Sequence, residues 1–318
     1  MITLTPTRVL IIEDSRATRE FMRRSLNAEA GIEVVGTAGD VFEARDQILR
    51  LKPDLCTLDL ELPGMDGLTF LRQLLPQYPI PMIVVSSLTQ PGMGHAMKAL
   101  ECGAVDVVPK PSSEHGLDLK GMMTSLIEKI HNHRQYRIQW RMSAVNEDID
   151  STPSARILEK NKVIVVGAST GGPIAVHDFV KRFPVDMPGT VIVIHMPSGF
   201  TTLFAKRLNE EVGVNVKEAE DGEVIETGKV FIAPAGRQCR IRAAGSMRRI
   251  VLGEEAKVNG HSPAVDPLFF SAAEEVGADT YGVLLTGMGR DGAHGLLKLR
   301  EAGAFTFAQS EETCVVYG

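Results

Sequence analysis

Residues 162–173 read KVIVVGASTGGP. Four β-branched residues, Val163 to Val166, run straight into a glycine-rich turn that carries one serine hydroxyl, Ser169, at its mouth. A continuous apolar run bounded by glycines suits a strand buried on both faces, and such strands belong to parallel sheets covered by helices. Gly167-Ala168-Ser169-Thr170-Gly171 also fits G-x-S-x-G, the elbow that lifts a serine hydroxyl above a sheet at a strand-to-helix turn. The same turn could seat a phosphate at the helix N-terminus. Two features weigh against that reading. The turn lacks G-x-G-x-x-G, and the next apolar run, TVIVIHMP (190–197), ends in His195, where a dinucleotide site would place an acid for the ribose.

Outward from this turn the pattern repeats. KVFIAPA (229–235), YGVLLTG (281–287) and AFTFAQS (304–310) are further strand-like runs, several separated by helix-like stretches. Upstream, five short β-rich runs each precede an amphipathic stretch: RVLIIED before RATREFMRRSL, IEVVGTA before VFEARDQILRL, DLCTLDL before GLTFLRQLL, PMIVVSS before GHAMKALECGA, and VDVVPKP before GLDLKGMMTSLIEKI. Alternation of this kind predicts a doubly wound parallel sheet. Between them, residues 131–161 are polar and lack an apolar strand pattern, which predicts a linker, helical at its start. The expectation is therefore two α/β domains, 1–130 and 162–318, joined by 131–161.

Size and composition agree. A chain of 318 residues exceeds one average domain, and 44% hydrophobic with 23% charged residues is ordinary globular usage. No apolar stretch is long enough to cross a bilayer, and MITLTPTR lacks the cationic start and apolar core of an export signal, so a cytoplasmic location without membrane insertion is expected. Cys56, Cys102, Cys239 and Cys314 are scattered without CxxC or Cys/His clustering, and are read as reduced thiols. A formal charge of -6 offers no footprint for nucleic-acid binding.

Parallel α/β sheets carry functional groups at the C-terminal ends of their strands. In the first domain three acids fall there, Glu13 and Asp14 after the first strand and Asp59 after the third. Crowded carboxylates repel unless a cation neutralises them, and oxygen ligands suit magnesium. Ser86 and Lys110 close the fourth and fifth strands. Acids, a divalent ion, a lysine and a hydroxyl together can accept a phosphoryl group and bind its oxygens.

In the second domain Ser169 needs a base, and His195 stands at the next strand end. An imidazole works best with a carboxylate fixing its tautomer, and Asp291 supplies one from the glycine-rich LLTGMGRDGAHG (284–295). That turn also offers backbone N–H groups, Met288 foremost, to hold an oxyanion. Each residue has a plainer reading: Ser169 or Asp291 as a helix cap, His195 as a satisfied strand-end histidine. His261 and Asp266 in GHSPAVDPLFF, with His177 and His294 on helices, rank as supporting or structural, and His131 and His133 as solvated.

The order Ser, His, Asp departs from the Ser, Asp, His order of α/β-hydrolases. A different resemblance fits. IIEDS, LDLELPGMDG, VVSS and VPKP occur in order as in response-regulator receiver domains of flavodoxin-like fold. GASTGGP, HMPSGFT, APAG and LLTGMGRDGA occur in order as in the catalytic domain of chemotaxis protein-glutamate methylesterases. The resemblance implies that Asp59 accepts phosphate from a histidine kinase and that Glu13 and Asp14 help Asp59 bind magnesium, with Asp14 a direct ligand. Lys110 would pair with phosphoryl oxygens, and Ser86 would be the switch hydroxyl. Val107 stands where many relatives carry a switching aromatic, and Glu13 where aspartate is usual. The resemblance further implies Ser169 as nucleophile, His195 as base and acid, Asp291 as its orienter and the Met288 amide in the oxyanion hole. The substrate would be glutamate γ-methyl esters on chemoreceptors, hydrolysed without a cofactor. Some relatives also deamidate receptor glutamines, and a further helical segment beyond CVVYG is implied. The competing readings are a phosphorylation-controlled binding module and a receiver joined to a DNA-binding output.

Overall fold

The computed structural model describes residues 5–87, 89–111, 118–134, 162–245 and 247–318. The chain divides into two compact units, Met1–Ile138 and Gln139–Gly318. Of the expected linker, residues 131–134 extend the last helix of the first unit, and 135–161 lie outside the described residues.

The first unit is a five-stranded parallel sheet in the order β2-β1-β3-β4-β5. Its elements are β1 (Thr7–Ile12), α1 (Arg16–Asn27), β2 (Ile32–Ala38), α2 (Val41–Leu51), β3 (Leu55–Asp59), α3 (Gly67–Leu74), β4 (Met82–Ser86), α4 (Gln90–Glu101), β5 (Asp106–Pro109) and α5 (Leu119–Arg134). β3 and β4 are buried at every position, which is why LCTLD and MIVVS read as unbroken apolar runs despite ending in Asp59 and Ser86. Helix starts follow capping chemistry: Ser15, Asp40, Asp66 and Thr89 each accept a backbone N–H from the first turn they precede. The chain winds one way from β1 to β2 and the other way through β3. The resulting crevice lies between the ends of β1 and β3, where the three acids converge.

The second unit is a six-stranded, wholly parallel sheet ordered β13-β12-β6-β7-β9-β8. It comprises β6 (Val163–Ala168), α6 (Gly172–Val180), β7 (Thr190–Ile194), α7 (Phe200–Glu211), β8 (Asn215–Glu218), β9 (Lys229–Ile232), β10 (Gln238–Ala244), β11 (Met247–Gly253), α8 (Val265–Glu275), β12 (Thr280–Leu284), α9 (Ala293–Glu301) and β13 (Phe305–Ala308). β10 and β11 form a separate antiparallel pair. Neither that pair nor the edge strand β8 figures among the strand runs legible in sequence. The reason is compositional: in QCRIRAA and MRRIVLG the buried Cys239, Ile241, Ile250 and Leu252 are interleaved with four arginines, and NVKE is a half-polar edge. The core under the sheet is built from Val165, Val191, Val193, Phe231, Leu268 and Phe269, all essentially inaccessible to water. Each such side chain contributes about 1.5–3 kcal/mol of burial. β6 sits at the switch point, with β7 on one side and β12 on the other, so three loops meet above it.

The four cysteines are free thiols, with Cys56, Cys239 and Cys314 buried.

Candidate functional site

The chain leaves β6 through an elbow that two glycines make possible. Gly171 has φ 75°, the left-handed region, and is the residue on which α6 begins. Gly287, in the loop after β12, passes so close that a Cβ there would lie 2.9 Å from Ser169 Cβ. The two loops are tied together by Ser169 N–H donating to Thr286 O at 3.0 Å. Thr286 is itself buried, and its hydroxyl donates to Thr170 O at 3.1 Å and accepts the Val315 and Val316 amides at 3.0 Å. Ser169 is thus not the helix cap: Gly171 holds that position without a side-chain bond. The Gly172 amide is taken by Ser169 O at 2.7 Å.

His195 follows β7, its amide held by Ala168 O at 3.1 Å, which brings its ring beside the elbow. Nδ1 lies 3.0 Å from Ser169 Oγ, and Nε2 lies 2.8 Å from Asp291 Oδ2. The imidazole and the carboxylate are largely withdrawn from water, at 9% and 3% exposure. Asp291 Oδ2 also accepts the Val265 amide at 2.7 Å, and Oδ1 accepts the Asp266 amide at 3.1 Å and Asn259 Nδ2 at 2.8 Å. Burial pushes this carboxyl up, but the hydrogen bonds from His195, the Val265 amide and Asn259 outweigh it and hold the group down at about 2. An ionised Asp291 only accepts, so the proton of a neutral imidazole sits on Nε2, and Nδ1 is free to accept the Ser169 hydroxyl. A cavity of about 110 Å³ opens over this relay, lined by Ser169, His195, Met288, Asp291 and, from the last stretch of chain, Val316 and Tyr317.

All four second-domain residues singled out from sequence therefore line one cavity. Of the histidines ranked below them, His261 stacks on His195, with ring centroids 3.7 Å apart and planes 9° from parallel. His177 pairs instead with Glu211 and Asp178, and His294 is exposed on α9. The helix cap that Asp291 might have supplied comes from buried Asp266, whose Oδ1 accepts the Gly292 and Gly295 amides. Asn259 and Thr286 were missed in sequence. The Asn-Gly dipeptide at 259–260 is a turn signal that marks where Asn259 would be placed.

In the first unit, Glu13, Asp14 and Asp59 each offer a carboxylate oxygen within 4.8 Å of the others. Lys110 Nζ donates to Asp59 Oδ2 at 2.6 Å and lies 3.4 Å from Glu13 Oε2. Glu61 N–H donates to Asp59 Oδ1 at 3.0 Å. Burial, then the neighbouring Asp59 charge, pushes Glu13 up to about 7; burial likewise raises Asp59, against the pull of Lys110. Glu13 Oε2 is buried and makes no hydrogen bond among the described residues. A buried carboxylate oxygen that makes no hydrogen bond and has only the Lys110 ammonium at 3.4 Å to offset it, beside two further acids, is a donor set a hard divalent cation fits. Ser86 is buried in the same region, but its hydroxyl donates to Gly92 O at 3.1 Å. Val107 is buried, paired with Val84 across the sheet. His131 is not simply solvated: it is half-buried, with Nε2 3.2 Å from Glu29 Oε1, while the His133 side chain lies outside the described residues.

A hydroxyl, imidazole and carboxylate aligned at a switch point define a serine-hydrolase type of centre, here on a chain that also carries a compact acid pocket. Comparison with known proteins places it further. The family model for the CheB methylesterase matches residues 164–318, and that for the response regulator receiver domain matches residues 9–120. The protein-glutamate methylesterase/protein-glutamine glutaminase of Syntrophotalea carbinolica is 44% identical over 98% of this chain and 89% of its own length. That of Sulfurimonas denitrificans is 44% identical over 98% of this chain and 90% of its own length. The crystal structure of the Thermotoga maritima CheB methylesterase catalytic domain is 40% identical over 49% of this chain and 84% of that one, with a TM-score of 0.48. The chain belongs to the protein-glutamate methylesterase/protein-glutamine glutaminase family, with a receiver domain preceding the catalytic one.

Proposed function

We propose that this chain hydrolyses glutamate γ-methyl esters on methyl-accepting chemotaxis receptors, and glutamine amides by the same acyl route. The observation that carries the reading is the unbroken Ser169–His195–Asp291 relay at 3.0 and 2.8 Å. His195 Nδ1 takes the Ser169 proton as Oγ attacks the ester carbonyl, and Asp291 offsets the charge on the imidazolium. The negative charge on the carbonyl oxygen develops where the Met288 amide can meet it, in the cavity that Met288 lines. His195 then returns the proton to the departing methoxide, releasing methanol. Water, deprotonated by the same nitrogen, attacks the glutamyl-serine ester and restores Ser169 and a free carboxylate. Every step stays on this chain's own groups.

The receiver acts as the regulator, with a histidine kinase as phosphodonor to Asp59. Glu13, Asp14 and Asp59 would hold magnesium, which neutralises charge as the phosphoryl group arrives. The phosphoryl oxygens would recruit Lys110 from Asp59 and draw the Ser86 hydroxyl from Gly92 O, loosening the turn into α4. With valine at 107 there is no aromatic ring to rotate, so the β4–α4 turn carries the change. The unphosphorylated receiver would inhibit the catalytic domain, and phosphate on Asp59 would act by favouring the active state. No described helix is long and apolar enough to cross a membrane. A kinase phosphodonor and a receptor substrate are what point the proposed activity to the cytoplasm.

Methanol release from methylated receptor, measured with and without a small phosphodonor, tests both parts. The intact protein should release methanol, faster when phosphorylated, and Ser169→Ala should release none while still binding receptor. Activity surviving Ser169→Ala overturns the relay; equal rates in protein shown to be phosphorylated overturn the coupling alone.

A further inference from the structure

Asn259 and Gly260 form a two-residue turn closed by mutual hydrogen bonds between Val258 and His261, N–H to O at 3.0 and 2.9 Å. Both central residues are left-handed, φ 53° and 83°, the pattern of a type I′ turn, for which Asn-Gly is the favoured pair. Asparagine tolerates this backbone where most side chains do not. What the turn displays is unusual in its aim. Asn259 Nδ2 has two hydrogens and two acceptors, Asp291 Oδ1 and Asp266 Oδ2, each at 2.8 Å. His261, the turn's last residue, lies flat against His195.

We propose that Asn259, presented by this turn, is a positioning residue for the hydrolytic relay: its amide locks the Asp291 carboxylate in the plane that His195 requires, with His261 holding the ring from its face. The inference rests on the esterase reading above. Its logic is one of valence. Among the described residues the Asp291 oxygens accept four donors, two of them on Oδ2, and Asn259 is the one side chain that donates to Oδ1. Without that bond the carboxylate is held on Oδ1 by the Asp266 amide alone, at the longer distance of 3.1 Å, and can swing out of the imidazole plane. Asp266 closes the frame from behind, since the oxygen not bonded to Asn259 pins the start of α9, and α9 follows directly on Asp291.

Two variants separate the amide from the turn. Asn259→Gly keeps a residue at ease with positive φ and removes only the side chain. It should lower kcat for methanol release about 10- to 100-fold, the usual cost of losing an orienting partner behind a reacting group, with KM within about twofold. Asn259→Asp keeps shape and backbone preference but sets a third carboxylate against Asp266 and Asp291, with His195 and His261 the facing imidazoles. A carboxyl in that company takes up a proton readily, and once protonated it donates again. Its kcat relative to the unaltered enzyme should therefore climb as pH falls from 8 to 6, whereas a merely structural role predicts a constant ratio. In the unaltered protein, both Asn259 side-chain amide protons should resist exchange with solvent. Wild-type kcat in Asn259→Gly, a flat ratio for Asn259→Asp, or rapid exchange of either amide proton overturns the inference. If the unaltered enzyme itself releases no methanol, the esterase reading fails instead, and the exchange measurement still judges the Asn259 contacts.

Discussion

Replacing Asp291 by asparagine removes one charge and no volume, and the surroundings of Asp291 make the outcome calculable. Four donors converge on its two oxygens: His195 Nε2 and the Val265 amide on Oδ2, the Asp266 amide and Asn259 Nδ2 on Oδ1. An asparagine must place its NH2 where one oxygen was, and either choice sets it against a backbone N–H that cannot reverse. With NH2 toward Val265, His195 can relieve the clash by accepting through Nε2, but its proton then moves to Nδ1 and points at Ser169 Oγ, 3.0 Å away. The imidazole is then the wrong tautomer and cannot act as base. We expect kcat to fall about a thousandfold or more, roughly 4 kcal/mol of barrier, with receptor affinity retained. One stranded backbone amide should also cost about 1–3 kcal/mol of stability. A second readout follows from linkage. The folded Asp291 sits at about 2, below the ordinary value of about 3.9, so it contributes stability that is present above pH 4 and lost as pH falls toward 2. Asp291→Asn should abolish that part of the acid sensitivity. Methanol release under single-turnover conditions, with thermal denaturation between pH 2 and 7, gives both. Retention of a tenth or more of kcat in a folded Asp291→Asn protein would refute the orienting role.

Gly287→Ala places a Cβ 2.9 Å from Ser169 Cβ, closer than carbon atoms pack, so either the nucleophile or the loop after β12 must shift. Activity should drop at least tenfold, through kcat, by displacement of the reacting oxygen; unchanged kcat in the folded variant would show that the loop yields instead. The acid pocket titrates in the opposite sense to Asp291. Glu13 is pushed up to about 7, so the folded state binds its proton more tightly than the unfolded chain does, and stability is lost as pH rises from about 4.5 through 7. Without divalent cation, the melting transition of the receiver within the intact chain should therefore be lower at pH 8 than at pH 5.5. Magnesium should narrow the gap, and so should Glu13→Gln; a melting temperature indifferent to pH between those limits would count against a buried, cation-seeking carboxylate.

Much of this was readable in the sequence because burial on both faces leaves a continuous apolar signature. VIVVGA and TVIVI, short, β-branched and bounded by turn residues, read as central strands, and a parallel sheet then places Ser169 and His195 at the same rim. Glu13, Asp59 and Lys110 were legible for the same reason. The edge strand β8 and the β10–β11 pair were not, because residues facing water on one side blur the apolar signal into ordinary polar chain.

The supporting shell was the least legible part, and the reason lies in how such contacts are made. Asn259 stands 32 residues before Asp291, in a stretch without periodicity, and its bond to that carboxylate exists only because α8 and the turn before it fold against the loop after β12. A strand announces itself by what it repeats, whereas a second layer of hydrogen bonds is a single event with no pattern to read. The same holds for Thr286, whose hydroxyl gathers the elbow and the chain at Val315 and Val316 into one frame. The two together account for why Ser169, His195 and Asp291, drawn from three separate loops, are held with their heteroatoms 2.8 to 3.0 Å apart. Chemistry that needs sub-ångström placement rests on residues whose identity the reaction itself never demands.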